Sequence, residues 1–298
     1  MTSVFAVTGV TGALGGRVAA QLAATAGQDD VALRLVVRDA DRAPRLPGAQ
    51  VAECAGGYAD GPALTAALAG VHTLFLVSAA EAADRLTQHL AAVDAAAAAG
   101  VQRVVYTSFL GAAPDATFTL ARQHAATEAR LAASGMRWTA LRNAMYADFG
   151  PYFATPEGGG AVIAAPAGDG AAAFVARDDC ADVAAAVLRA DDPAADGRAL
   201  DVTGPAALTL AEAAAVLADV SGRPVTYRPQ TVAQAWATRR PSGHPDWEVE
   251  GWVTSYTAIA AGEMARVSDV VPHLTGRPAR TLVDVLRAHP ELWRPLLG

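Results

Sequence analysis

Chemistry is concentrated first in Thr8-Gly9-Val10-Thr11-Gly12-Ala13-Leu14-Gly15, which follows the β-branched run Val4-Phe5-Ala6-Val7-Thr8 and opens a stretch of helical periodicity from Leu14 to Ala24. In a strand–loop–helix setting, glycines at this spacing have separate tasks. Gly9 allows the sharp turn, Gly12 lets a pyrophosphate approach the backbone, and Gly15 lets the helix pack closely on the strand. The helix N-terminus then presents unpaired N–H groups and the positive end of its dipole, so an anion is held without a cationic side chain. The same glycines also suit a tight structural turn, but their position between strand and helix favours a dinucleotide. Gly9, Thr11, Gly12, Ala13, Leu14 and Gly15 are therefore the expected cofactor-binding residues.

The second strand-like run ends in Leu35-Val36-Val37-Arg38-Asp39. An acid at this place hydrogen-bonds a ribose 2′-hydroxyl, whereas an arginine pairs with the 2′-phosphate of NADP. Arg38 stands first, directly at the strand end, and its planar fork suits a phosphate, so NADP(H) is expected over NAD(H). The competing role for Arg38 is a solvated charge at a strand end.

What the chain lacks is equally informative. It has 298 residues, and all 23 of its basic residues are arginine. Without lysine there is no Tyr-x-x-x-Lys pair, in which lysine lowers a tyrosine pKa for proton exchange with a carbonyl, and no Walker A loop. Neither Gly-x-Ser-x-Gly nor His-Glu-x-x-His occurs, and the six histidines have no metal-ligand spacing, which removes hydrolase and metalloenzyme readings. The net charge of −7 with no basic stripe argues against nucleic acid as a partner. Charges interrupt each apolar stretch before it could span a bilayer, so no membrane association is expected. Cys54 and Cys180 lack a Cys-x-x-Cys partner and read as buried small hydrophobes; with no leader-like segment, they suit a reducing cytoplasm.

Strand-like runs at Val31–Val37, Leu74–Val77, Arg103–Thr107 and Trp138–Leu141 alternate with helical patterns at Pro62–Ala69, Ala83–Ala99 and Phe118–Ala133. Each strand is nearly uniformly apolar, which implies a parallel sheet covered on both faces. The expected fold is α/β, a doubly wound parallel-sheet Rossmann fold with a smaller, interleaved C-terminal lobe. Residues 1–150 form the nucleotide domain and 151–298 mainly a substrate lobe, with about 177–203 returning to the first domain. That return is predicted by a helix at Asp178–Ala190 and a strand at Ala199–Thr203. Thr209 and Glu212 form a capping-box pattern before an alanine-rich helix ending at Gly222, with Pro224 beyond.

Taken together, several segments resemble the NmrA-like atypical short-chain dehydrogenases, among them the type-two NADPH:quinone oxidoreductases and triphenylmethane reductases. The resemblance spans nearly the whole chain. It rests on the glycine loop through Gly16, Val36-Val37-Arg38, Val77-Ser78, Tyr106-Thr107-Ser108, His124 with Thr127-Glu128, and Leu141-Arg142-Asn143-Ala144-Met145-Tyr146. It implies that the loop and Arg38 carry NADPH, that Ser78 and Asn143 join the cofactor site, and that Ser108 and Tyr146 lie at the reacting centre. His124 falls where typical enzymes of the superfamily place lysine, and Leu120 at the tyrosine slot. One departure stands out: relatives tend to show Asp-Tyr where this chain has Gly57-Tyr58.

The implied chemistry is hydride transfer from NADPH to a small aromatic, quinone-like or otherwise conjugated acceptor, with positioning carrying most of the catalysis. His124 is the first candidate proton donor, because an unperturbed imidazole titrates near pH 6.5; the competing role is a structural histidine bonded to Glu128 or backbone. Tyr146 either orients a flat substrate or packs in a core. Phe149, Tyr152, Trp236, Trp247 and Trp252 either wall an apolar pocket or, more plainly, pack. A different class stays open, a non-catalytic NADP(H) sensor of the NmrA type acting through a protein partner, as does reduction of a specialised biosynthetic intermediate. The sequence does not choose between a monomer and a homodimer.

Overall fold

A computed structural model describes residues 3–25, 31–148, 153–190 and 192–297. The chain begins β1 (Ser3–Val7), α1 (Ala13–Thr25), β2 (Val31–Val37), β3 (Gln50–Glu53), α2 (Gly61–Ala67), β4 (Thr73–Leu76), α3 (Arg85–Ala98), β5 (Arg103–Phe109), α4 (Thr119–Ala133) and β6 (Arg137–Asn143). It continues with β7 (Ala154–Glu157), β8 (Gly160–Ala165), β9 (Ala171–Ala172), α5 (Arg177–Ala190), β10 (Arg198–Val202), β11 (Leu208–Thr209), α6 (Leu210–Ser221) and β12 (Val225–Pro229). Beyond these lie α7 (Val232–Arg239), α8 (Asp246–Ala260) and three short helices, α9 (Val270–Thr275), α10 (Leu282–Ala288) and α11 (Arg294–Leu297).

Seven strands form one sheet in the order β10-β6-β5-β4-β1-β2-β3. β1 pairs in parallel with β2 and β4, β2 with β3, and β4 with β5. This is the doubly wound Rossmann arrangement, in which strand order reverses between β1 and β4 and ligands settle at the carboxyl ends of the strands. All four residues of β4 and six of the seven in β5 are buried, as strands covered on both faces must be. The β3 strand escaped the sequence reading because Gln50-Val51-Ala52-Glu53 is an exposed edge without an apolar run.

Contacts divide the chain into two compact units. The first comprises Met1–Ser108, Gln123–Arg142 and Cys180–Leu200; the second comprises Phe109–Arg122, Asn143–Asp179 and Asp201–Gly298. Residues 109–122 and 143–148, read from sequence as part of the nucleotide domain, thus cluster in the second unit. The cause is local: Leu110 N–H bonds Asn143 O at 2.9 Å, and Phe109 meets Phe118 edge to face at 5.1 Å. Thr117 donates both its N–H and its hydroxyl to Glu263.

Each unit has its own core. In the first, Ala6, Leu64, Leu68, Leu74, Leu76, Val104 and Tyr106 pack together, and Gln21 on α1 donates to Asp182 on α5 at 2.7 Å. In the second, β12, β8 and β7 make a small sheet. Its β7–β8 hairpin turns through Gly158 and Gly159, both at positive φ, as a two-residue hairpin loop requires. Thr209 caps α6 reciprocally with Glu212, and Gly222 ends it at φ 68°. Trp236 and Trp252 flank a minor cluster of Ala235, Val249 and Val253, so these two pack; Trp247 is half-buried on α8, and Phe149 and Tyr152 lie outside the described residues. Among the described residues no helix is long and apolar enough to cross a membrane.

Arg103 at the start of β5 is fully buried and faces Asp196 at 3.4 Å, and Arg137 donates to the same carboxylate at 2.5 Å. Removing the acid takes a close counter-charge from a buried cation. Asp196→Ala is expected to destabilise the fold by about 3 kcal/mol, read as a lower urea midpoint, whereas Asp94→Ala, whose partner Arg130 is exposed, leaves the midpoint nearly unchanged.

Candidate functional site

At the carboxyl ends of β1, β2, β3 and β4, a cavity of roughly 470 Å³ is lined by Thr8–Thr11, Val36–Arg38, Cys54, Gly56–Ala59 and Val77–Ala82, with Leu64 and Gln88. One wall is the turn at Gly9, which closes because positions 9 and 15 have no side chain. Gly9 sits at φ 63°, and a β-carbon there would stand 2.9 Å from Val77 Cβ. On Gly15 it would stand 2.3 Å from Gly9 O, so α1 closes on the loop to backbone contact. Gly12 N–H bonds Gly9 O at 2.9 Å, curling the loop, and Thr11, Gly12 and Ala13 are exposed at the helix start. Leu14 turns its side chain into the core, which leaves only its N–H for a ligand. A turn drawn tight by bare glycines at the positive end of a 13-residue helix fits a diphosphate.

The remaining walls are pinned by hydroxyls. Tyr58 O–H donates to Val77 O at 2.6 Å and lies 2.6 Å from Thr8 Oγ1, which itself accepts from Val77 N–H at 2.9 Å. Burial pushes the Tyr58 phenol well above its ordinary range, so it stays protonated and able to donate. Ser78 lines the cavity with its N–H fixed on Thr107 Oγ1 at 2.7 Å, and Arg38 stands at the exposed end of β2. Asp39 turns away to cap the following 3₁₀ turn through Asp41 N–H. Cys54 is a buried free thiol whose pKa burial raises, as expected for an unreactive cysteine.

His124 does not line this cavity. It is 5% exposed, and its Nε2 lies 3.0 Å from Arg85 Nη2 while its Nδ1 lies 2.8 Å from Tyr106 O–H. An arginine can only donate, so Nε2 accepts and the neutral ring carries its proton on Nδ1, toward the tyrosine. Burial, then Arg85, then His89 hold its pKa well below 6.5. The expectation of an imidazole titrating near neutrality is thereby corrected, and Arg85 and Tyr106 meet its two ring nitrogens.

His89 on α3 repeats the pattern: Nε2 accepts from Ala79 N–H at 2.9 Å, Nδ1 faces Thr127 Oγ1 at 3.1 Å, and burial with Arg85 lowers its pKa to about 3. Arg85 Nε also donates to Ala79 O at 2.8 Å. Both main-chain groups of Ala79, which lines the cavity, are thus held from one helix. Sequence reading missed Arg85 and His89; the available signal was their i,i+4 spacing on the apolar face of a predicted helix.

Ser108 belongs to a second network. Its hydroxyl donates to Glu128 Oε1 at 2.5 Å, and Arg142 forks onto both carboxylate oxygens at 2.9 and 2.6 Å. In the second unit, buried Asn143 donates from Nδ2 to Tyr146 O–H at 3.2 Å, and the Arg177 guanidinium lies 4.6 Å from the Tyr146 ring centroid while pairing with Asp148. Asn143 Oδ1 has no hydrogen-bond partner among the described residues. The structure therefore gathers Gly9 and Thr11 of the loop with Arg38 and Ser78 around one cavity, leaves Gly12, Ala13, Leu14 and Gly15 outside its lining, sets His124 and Ser108 in separate buried networks, and pairs Asn143 with Tyr146. Among the described residues no group of three metal-ligating side chains occurs.

This geometry is matched by kinship. The family model described as NAD(P)H-binding covers residues 9–191. The chain belongs to this NAD(P)H-binding, NmrA-like family. It is 32% identical to the NAD(P)H azoreductase of Xenophilus azovorans, over 95% of this chain and 96% of the other. The crystal structure of the NADPH-dependent quinone oxidoreductase of Escherichia coli with NADPH superposes at TM-score 0.84 and 33% identity, covering 96% and 99% of the two chains. Triphenylmethane reductase of Citrobacter sp. with NADP(H) gives 0.80 at 29%, covering 95% and 99%.

The two buried histidines carry a pH consequence. Between pH 6.5 and their lowered folded values the unfolded chain binds protons that the folded one refuses, so stability is full above pH 6.5 and falls as pH drops. The slope approaches about 1.4 kcal/mol per pH unit for each histidine. His89→Gln should remove roughly half of this slope, measured by urea denaturation from neutral pH to about pH 5.

Proposed function

We propose that the protein is an NADPH-dependent reductase that delivers hydride to a quinone-like or otherwise conjugated acceptor. The observation that carries this reading is a single cavity that joins the turn at Gly9–Thr11, immediately before α1, to an arginine at the end of β2. When bound there, NADPH supplies a hydride; an acceptor that takes it needs one further proton to become the reduced product. The azoreductase, quinone oxidoreductase and triphenylmethane reductase relatives are each named for the reduction of a conjugated compound, and a neutral acceptor of the quinone kind is the one that takes the further proton.

The chain's own residues would divide the work. Gly9, Thr11, Gly12, Ala13, Leu14 and Gly15 hold the diphosphate through backbone, Arg38 the 2′-phosphate, and Ser78 and Asn143 the remainder of the coenzyme. Ser108, whose proton is directed at Glu128, has lone pairs to offer and acts as an acceptor that orients. Tyr146 is the hydroxyl assigned to the acceptor, steadied by Asn143 and by the Arg177 charge over its ring. His124, neutral and committed to Arg85 and Tyr106, serves as a positioning residue instead of an acid.

Loss of nicotinamide absorbance against a panel of quinones and azo dyes tests this reading. Turnover is expected, with kcat lowered about tenfold to a hundredfold in Tyr146→Phe and Ser108→Ala while NADPH affinity is kept. Tight NADPH binding without turnover of any acceptor would overturn it.

A further inference from the structure

Two side chains of α3, Arg85 and His89, are buried, and neither lines the cavity. Both meet Ala79, which does line it: its N–H donates to His89 Nε2 at 2.9 Å and its carbonyl accepts from Arg85 Nε at 2.8 Å. The residues just before it are held in the same manner. Val77 N–H donates to Thr8 Oγ1 at 2.9 Å, Val77 O accepts from the Tyr58 hydroxyl at 2.6 Å, and Ser78 N–H donates to Thr107 Oγ1 at 2.7 Å. Of the main-chain polar groups of residues 77–79, the Ser78 carbonyl alone makes no hydrogen bond among the described residues.

The fold itself does not demand this arrangement. Ala79 is half-buried and Ala80 exposed, so water could serve the Ala79 peptide groups. A guanidinium and an imidazole are carried into the interior to do so, where each is costly unless its polar atoms are met. They are met: Arg85 Nη1 donates to Gln123 Oε1 at 2.9 Å and Nη2 to His124 Nε2 at 3.0 Å, while His89 Nδ1 lies 3.1 Å from Thr127 Oγ1. A main-chain N–H can only donate, so His89 Nε2 is unprotonated and the neutral ring carries its proton on Nδ1. Thr127 turns its own hydrogen to Gln123 O at 2.8 Å, which leaves a lone pair for that proton. Each donor from α4 to Ala79 therefore has one direction, and the Ala79 peptide groups have one orientation.

We infer that Arg85 and His89 are positioning residues for the coenzyme, a clamp that fixes Ala79 in advance so that Ser78 meets the ligand without any reordering of the chain after β4. This deepens the cofactor reading above and rests on it. Without the clamp, that stretch would be ordered only as the coenzyme binds, and fixing the backbone of one residue at that moment costs a factor of about ten in affinity.

Isothermal titration with NADPH tests the clamp at both ends. His89→Gln keeps an acceptor, and Arg85→Gln a donor, at about the position of the atom that faces Ala79; His89→Leu and Arg85→Met fill the space without one. His89→Leu and Arg85→Met are each expected to weaken NADPH about tenfold, and the two glutamine variants to stay within about threefold of wild type. His89→Leu should also speed hydrogen exchange at the Ala79 amide in the coenzyme-free protein, where His89→Gln keeps it slow. Asp196→Ala controls for lost stability: it lowers the urea midpoint and leaves NADPH affinity unchanged. Each end of the clamp decides the matter should a variant at the other not fold. Equal losses in the glutamine and hydrocarbon variants, an unchanged affinity in His89→Leu despite faster exchange at Ala79, or an equal loss in Asp196→Ala would overturn the inference while leaving the cofactor site standing. A wild type that does not bind NADPH would remove the site itself, and the inference with it.

Discussion

The first unit depends on one close approach, that of α1 to the turn leaving β1. Gly9 O stands 2.3 Å from where a Gly15 β-carbon would be, so the helix can sit at that distance only because position 15 is bare. From this contact follow the direction of the helix dipole, the exposure of Thr11, Gly12 and Ala13, and the depth of the cavity. An anion site built from backbone is rigid in a way that flexible cationic side chains are not, which suits a chain whose cations are all arginine. The surrounding hydroxyls extend the same logic: Thr8, Tyr58 and Thr107 fasten loops from β1, β3 and β4 to one another by short hydrogen bonds.

Around that frame the protein buries polar groups in closed circuits. Arg85, His89, Tyr106, His124 and Thr127 satisfy one another away from water, where each unmade hydrogen bond would be costly. Such circuits specify geometry more than they add stability, because every donor direction dictates the next. Arg85 settles the tautomer of His124, and that tautomer settles which atom of the ring faces Tyr106. The Ser108, Glu128 and Arg142 group is a second circuit of the same kind, and its fork geometry fixes the carboxylate in a single plane.

Much of the fold was legible in the residues. The β2 range, Val31–Val37, matches its apolar run residue for residue, and the capping box at Thr209 and Glu212 starts α6 where the pattern placed it. These signals are local and depend on neighbours a few positions apart. β3 was illegible because an exposed edge strand of four residues leaves no hydrophobic trace. The protonation state of His124 was illegible for a different reason: a residue that bears on it, Arg85, lies 39 positions earlier, and only the fold brings them together. The second unit's small sheets were likewise hidden, since β8 and β12 pair across more than fifty intervening residues.

The nucleotide unit is assembled from three separated stretches, the last ending at Leu200. During vectorial synthesis β5 emerges well before β6 and β10, the strands that continue the sheet beyond it. The growing chain therefore leaves the ribosome with an unfinished apolar edge that it cannot seal from its own first hundred residues. The seven-stranded sheet is complete only once translation has passed β10, and the unit corresponds to no single contiguous stretch of the gene.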